Sequence, residues 1–130
     1  MTLSDSMIDF GLRQARLLRG RLVTVRNVPA DQTPSSLQVT AIPLETVDDA
    51  DPTHNAIELR QKRDWALLVS DLDFGNGPEM PDRYWELDTT ETGHVITYRM
   101  IAPAPNDDVH ERMTADGTWL RIHTKRISTV

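Results

Sequence analysis

The residues best suited to chemistry are one stretch of alternating oxygen ligands and four scattered histidines. Residues 71–82 place carboxylates at alternate positions, as a calcium-binding loop does. The match is incomplete, because Gly75 takes a ligand position and Asn76 stands where the turn glycine belongs, so a Gly/Pro-rich turn is favoured. The histidines lack the i, i+4 and H-x-H spacings of a metal pair, and they are His54, His94, His110 and His123.

Motifs for covalent or nucleotide chemistry are absent. The chain has no Cys, no serine in a G-x-S-x-G elbow and no glycine-rich phosphate loop. The sequence therefore favours a protein without catalytic residues, metal or cofactor. The remaining enzyme hypothesis is a small metal-dependent enzyme with ligands His94, His110, His123 and either Glu79 or Asp82.

The clearest charged pattern lies near the C-terminus, in residues 119–127. Arg121, His123 and Lys125 alternate with apolar residues, so they share one face of a predicted strand. Two interpretations stay open: a solvated outer face, or a basic row that meets a phosphate backbone or acidic loops of the next subunit. Head-to-tail contacts of the latter kind close into rings. The acidic residues predicted for such a contact are Glu45, Asp48 and Asp49.

Length and charge limit the class of protein. The chain has 130 residues, the usual size of one domain, so we expect a single domain over residues 1–130. Its net charge of −6 disfavours nucleic-acid binding by the surface as a whole. No apolar run approaches the roughly 18 residues that would span a bilayer. The start, Met1–Asp9, is acidic where a secretory signal is basic, so we expect a soluble protein that is not exported.

Residues 4–19 have the pattern of an α-helix, and Gly20 follows as a natural stop. Apolar residues cover roughly 200° of its circumference, whereas a surface helix needs about 100°. Two interpretations stay open: a helix laid in a groove of its own sheet, or one that also meets a neighbouring subunit through Phe10 and Leu17. The helical spacing predicts one apolar face, which Phe10 and Leu17 extend on one side and Leu12 on the other; its members are Met7, Ile8, Gly11, Ala15 and Leu18.

From residue 21 the apolar period changes from that of a helix to that of a strand. Thr92-Gly93 predicts a hairpin, and two long polar loops are expected at 43–55 and 103–117. Strands without intervening helices predict a mainly β protein, an antiparallel barrel or sandwich over 21–127 behind the N-terminal helix. About seven strands are expected, at 21–28, 37–41, 57–60, 65–69, 85–88, 96–100 and 120–123.

Several short stretches are similar, in the same order along the chain, to those of one known family. The ending LRIHTK at 120–125 resembles the ending of those proteins most closely. The other similar stretches are 22–26, 63–72, 80–87 and 97–103. On these stretches the chain resembles small phage and prophage structural proteins encoded among head–tail connector genes, of the adaptor or stopper type.

The resemblance implies a structural subunit of the head–tail connector in the virion neck, made in the host cytoplasm. Such subunits are β-barrels in rings of six or twelve copies, with genome DNA passing through the lumen without sequence-specific binding. The implied neighbours are a portal or adaptor protein on the head side and a tail terminator or tail tube on the tail side, with no membrane. A tail terminator or tail completion protein is the alternative. The resemblance implies no catalytic residues and no cofactor.

Overall fold

The computed structural model describes residues 3–28, 33–44 and 62–130. The strands form one antiparallel sheet in the order β3-β2-β1-β4-β5-β7-β6, and a further β3–β7 pairing closes six of them into a barrel. This confirms the mainly β prediction and selects the barrel over the sandwich. The elements are α1 (Leu3–Arg19), β1 (Arg21–Arg26), β2 (Ser36–Leu44), β3 (Lys62–Leu68), β4 (Glu86–Glu91), β5 (His94–Met100), β6 (His110–Arg112) and β7 (Trp119–Thr129).

The closing strand β3 is buried on both faces, as its continuous apolar run predicted. It pairs with β2 along one edge and with β7 along the other. Trp65 and Leu67 belong to the apolar core inside the barrel. Ala66 and Leu68 belong to a second cluster, under α1. We call this second group the outer cluster, and its buried members are Ile42, Ala66, Leu68 and Trp119.

The barrel interior is organised around Trp65, which is fully buried. Its Nε1 donates a hydrogen bond to Thr124 Oγ1 at 3.2 Å, and its ring meets Tyr98 edge to face with the centroids 5.7 Å apart. The Arg63 guanidinium lies over both rings at the mouth of the barrel where β1 begins. It shares the Glu91 carboxylate there with Arg21, so an ionic group covers this end of the core.

The side of α1 that faces the barrel is largely polar. Asp5 is buried, and its Oδ1 accepts a hydrogen bond from the amide of Ala115 at 3.1 Å. Asp9 Oδ1 accepts one from Trp119 Nε1 at 2.8 Å. The apolar contacts of this side come from Leu12 and Ala15, which pack against the outer cluster. These directional bonds fix the rotation of the helix about its own axis.

The apolar side of α1 faces solvent instead. The exposed fractions are 70% for Met7, 66% for Phe10, 81% for Leu17 and 83% for Leu18. We call these four side chains the α1 apolar face. Of the predicted apolar face and its flanks, only Ala15 and Leu12 pack against the barrel, because buried hydrogen bonds rather than apolar spacing decide which side of the helix meets it. Despite this exposed face, α1 is not long and apolar enough to cross a membrane.

Two loop predictions need correction, and one predicted strand lies outside the described residues. The predicted loop 103–117 contains β6, whose residues pair with 120–122 of β7. Pro43 lies within β2, opposite Trp65, and not in a loop. Beyond Ala41, β2 has no β1 partner, so Pro43 lies where one edge of the strand is unpaired. The predicted strand 57–60 lies outside the described residues.

The predicted hairpin at Thr92-Gly93 is confirmed. Glu91 and His94 are paired, so the loop has two residues. Both loop residues have positive φ, 49° for Thr92 and 82° for Gly93. These signs are those of a type I′ turn, whose twist matches that of the strands it joins.

Replacing Trp65 with Ala should lower the free energy of unfolding by about 3–5 kcal/mol, because it leaves a cavity in the barrel and removes the hydrogen bond that Thr124 Oγ1 accepts from the indole. Urea unfolding followed by circular dichroism measures this change. Tyr84→Ala is the matched control, since Tyr84 is an exposed aromatic and its loss should change stability by less than about 0.5 kcal/mol. Equal effects of the two changes would show that the barrel interior is misplaced.

Candidate interface surfaces

The predicted basic row on β7 lies beside a buried carboxylate, Asp64 of β3. Asp64 is 4% exposed and stands directly opposite His123 in the β3–β7 ladder. Arg121 Nε donates to Asp64 Oδ2 at 2.7 Å, and His123 Nδ1 lies 3.2 Å from Asp64 Oδ1. Two members of the predicted row are therefore engaged within the chain.

His123 lies between two carboxylates on neighbouring strands. Its Nε2 is 3.1 Å from Glu111 Oε1 on β6, while its Nδ1 faces Asp64. The hydrogen bond with Asp64 raises the pKa of His123 above its ordinary value of 6.5, against the effect of burial. Burial alone would raise the pKa of Asp64, but hydrogen bonds from His123 and Arg121 outweigh it, and that pKa is lowered. In its protonated form the imidazole links β6 to the barrel wall through Glu111 and Asp64.

The stability of the fold should fall as pH rises through the raised pKa of His123. Because the folded state binds this proton more tightly than the unfolded chain, the stabilisation is complete below pH 6.5, the ordinary value, and is lost above the folded-state pKa. The contribution of Asp64 has the opposite sign: it is present above pH 3.8 and is lost as pH falls through its lowered pKa.

Urea unfolding of wild type and His123→Gln from about pH 5 to about pH 9 measures the His123 contribution. We expect a decline in the free energy of unfolding for wild type that the variant lacks. His94→Gln is the control, because His94 is exposed at the start of β5 and should keep the wild-type decline. A variant at His123 that retained the decline would remove the link to Asp64.

Lys125, the third member of the predicted row, has different neighbours. Lys62 of β3 stands directly opposite it on one side, and Arg99 of β5 on the other. Directly opposite residues of an antiparallel pair share a face, with Cβ atoms about 4.5–5.5 Å apart. We call Lys62, Lys125 and Arg99 the cationic row. It crosses three strands, so sequence spacing along one strand does not reveal it.

The cationic row is poorly neutralised by the described residues. Arg99 NH2 is 3.4 Å from Glu86 Oε2, a carboxylate that Arg26 also contacts. Within ranges 3–28, 33–44 and 62–130, neither Lys62 nor Lys125 has an ion pair. Like charges placed directly opposite one another destabilise a sheet, so this arrangement costs folding stability.

Charge reversal should separate the two parts of the predicted row. Arg121→Glu should lower the free energy of unfolding by more than about 2 kcal/mol, because it sets a carboxylate against buried Asp64. Lys125→Glu should leave it unchanged or raise it by about 0.2–1 kcal/mol, because the new carboxylate lies between Lys62 and Arg99. Urea unfolding measures both. A large loss of stability in Lys125→Glu would contradict the cationic row.

The stretch compared with a calcium loop is a turn in the structure. Asp73 Oδ1 accepts hydrogen bonds from the amides of Gly75 and Gly77 at 2.8 and 3.2 Å. Both glycines have positive φ, which favours glycine. Asp71 is used by α1, where Arg16 NH2 lies 3.1 Å from its Oδ2. These carboxylates therefore serve the local fold.

Of the histidines proposed for a metal-dependent enzyme, His110 and His123 line one cleft, whereas His94 does not line it. His94 begins β5, and His110 in β6 stands opposite Ile122. In the part of the chain that the structure describes, no three His, Cys, Asp or Glu side chains are grouped to hold a metal ion. Two open clefts of about 410 and 420 Å³ flank His123, and their walls are mainly charged or polar side chains.

The other predicted interface residues divide between two parts of the chain. Phe10 and Leu17 lie on the α1 apolar face and are exposed. Glu45, Asp48 and Asp49 lie outside the described residues. Sequence analysis missed four residues of these surfaces, whose only signals were a charge directly before an apolar run and isolated charges in or beside strands; they are Asp64, Glu111, Lys62 and Arg99.

Comparison with known proteins agrees with a structural role. The family model described as "Phage head-tail joining protein" matches residues 1–130. Searches of curated proteins and of solved structures found no match. Head-tail joining proteins are structural proteins and not enzymes. The chain belongs to the phage head-tail joining protein family and is a structural component of the head–tail junction of a phage virion.

Proposed function

We propose that the chain forms a ring in the neck of the virion, between the portal and the tail, and that its subunits associate through the α1 apolar face. The observation that carries this proposal is the orientation of α1. The helix turns its polar side to the barrel and its apolar side to solvent. A partner that covers the apolar side would bury the side chains of the α1 apolar face, which the barrel leaves exposed.

The α1 apolar face has the character of a contact surface. Phe10 and Leu17 are seven residues apart, two helical turns, and Met7 and Leu18 extend the same side. Contiguous apolar patches of this kind mark interaction sites on soluble proteins. Helices that bind grooves use anchors at this spacing. The face cannot rotate onto its own barrel, because that would break the buried bonds of Asp5 and Asp9.

A ring requires two different surfaces on each subunit, since each copy contacts one neighbour on either side. The α1 apolar face supplies one of them. The acidic residues Glu45, Asp48 and Asp49 remain the predicted contribution to a subunit contact, and Arg121 and His123 act indirectly by holding β3, β6 and β7 together. The number of copies expected from the resemblance is six or twelve.

Light scattering of the purified protein, alone and mixed with the portal complex of the same phage, tests the proposal. We expect wild type to assemble as a defined ring, alone or on the portal. The double variant Phe10→Glu/Leu17→Glu should lose this assembly while its circular dichroism and urea unfolding stay unchanged, because both side chains lie outside the core. The matched control is Met80→Glu, which changes an exposed apolar side chain outside α1 and should assemble normally.

The same measurement separates the alternatives. A wild-type protein that ignores the portal but caps isolated tail tubes would be a tail terminator or tail completion protein. A double variant that assembles like wild type would remove the α1 apolar face from the contact. A protein that joins neither portal nor tail tubes would overturn the neck position altogether.

A further inference from the structure

The cationic row places three positive side chains directly opposite one another on the outer wall of the barrel. Lys62 stands opposite Lys125, and Lys125 stands opposite Arg99. We propose that this row is a binding site for the phosphate backbone of double-stranded DNA. The proposal rests on the neck position proposed above, in which the genome passes through the ring.

The first argument is the unbalanced charge. Like charges directly opposite each other destabilise a sheet, and the described part of the chain offers the row one carboxylate, that of Glu86, which Arg99 shares with Arg26. Asp64, two residues along β3 from Lys62, is engaged by Arg121 and His123. An anion from outside the subunit would neutralise the row and offset this cost.

The second argument is geometric. Neighbouring strands lie about 4.7–4.9 Å apart, so a row across three strands spans roughly 10 Å. One DNA strand presents a phosphate about every 3.4 Å of helix rise, and the rotation of the helix sets consecutive phosphates farther apart than this, so the row is long enough to contact neighbouring phosphates of one strand. The row lies on the outer face of the barrel, which suits an extended backbone. Two of its three members are lysines, which act as flexible point charges and suit phosphate contacts without base recognition.

The third argument is the charge of the rest of the chain. A net charge of −6 repels DNA on average, so the row attracts it only at short range. The Debye length of about 10 Å at 0.1 M salt is close to the length of the row. Contact is therefore weak, local and sensitive to salt. Such contact would guide a moving genome without arresting it.

Fluorescence anisotropy of a labelled duplex of about 30 base pairs, titrated with the full chain at several salt concentrations, tests the proposal. The double variant Lys62→Gln/Lys125→Gln should bind about tenfold more weakly near 50 mM salt. It should also reduce the slope of log affinity against log salt by about two units, one for each lost phosphate contact. Arg13→Gln/Arg112→Gln is the control with the same loss of charge, since both arginines are exposed and lie off the row.

Equal weakening by the control and the row variant would overturn the proposal, because net charge alone would then explain binding. Absence of wild-type binding at low salt, in the assembled state, would overturn it as well. Light scattering of the row variant with the portal distinguishes a failure here from a failure of the neck assignment, and we expect its assembly to be normal. A row variant that lost assembly but kept DNA binding would overturn the proposal and show that the cationic row binds carboxylates of a second copy of the chain.

Discussion

The pairing of β3 with β7 is the constraint on which the rest of the structure depends. Seven residue pairs join 62–68 to 119–125, positions about 50 to 60 residues apart in the chain. This pairing closes the barrel, encloses Trp65 and sets His123 opposite Asp64 and Lys125 opposite Lys62. The stability of the core and the chemistry of the outer wall thus depend on one register. Contacts so distant in sequence also slow folding, because a long loop must close before they form.

Local patterns in the sequence predicted the local parts of the fold. Alternation located five of the six barrel strands, a continuous apolar run located β3, and Thr92-Gly93 located the β4–β5 hairpin. The strand β6 was not predicted because its three residues, His110 to Arg112, are all polar and show no alternation. The orientation of α1 was not predicted for a different reason. It is decided by donors on the barrel, the Ala115 amide and the Trp119 indole, which helical spacing does not reveal.

The candidate interface surfaces, like the fold, were predicted only where the signal lies within one segment of the sequence. Alternation correctly placed Arg121, His123 and Lys125 on one strand. The sequence of one strand does not show which residues of the neighbouring strands lie opposite it. Asp64, across the ladder, turns the first two into internal contacts. Lys125 instead lies between Lys62 and Arg99 and so belongs to the cationic row. Register is a property of pairs of strands, so it had to come from the structure.

The polar attachment of α1 has an evolutionary consequence. Asp5, Asp9, Leu12 and Ala15 hold the helix, and none of them belongs to the α1 apolar face. Substitutions on that face therefore carry no folding penalty in the subunit itself. Residues of the α1 apolar face can therefore change as a neighbouring protein changes. Residues of the barrel are constrained separately, because they must preserve the fold. A junction built this way can acquire new neighbours without acquiring a new fold.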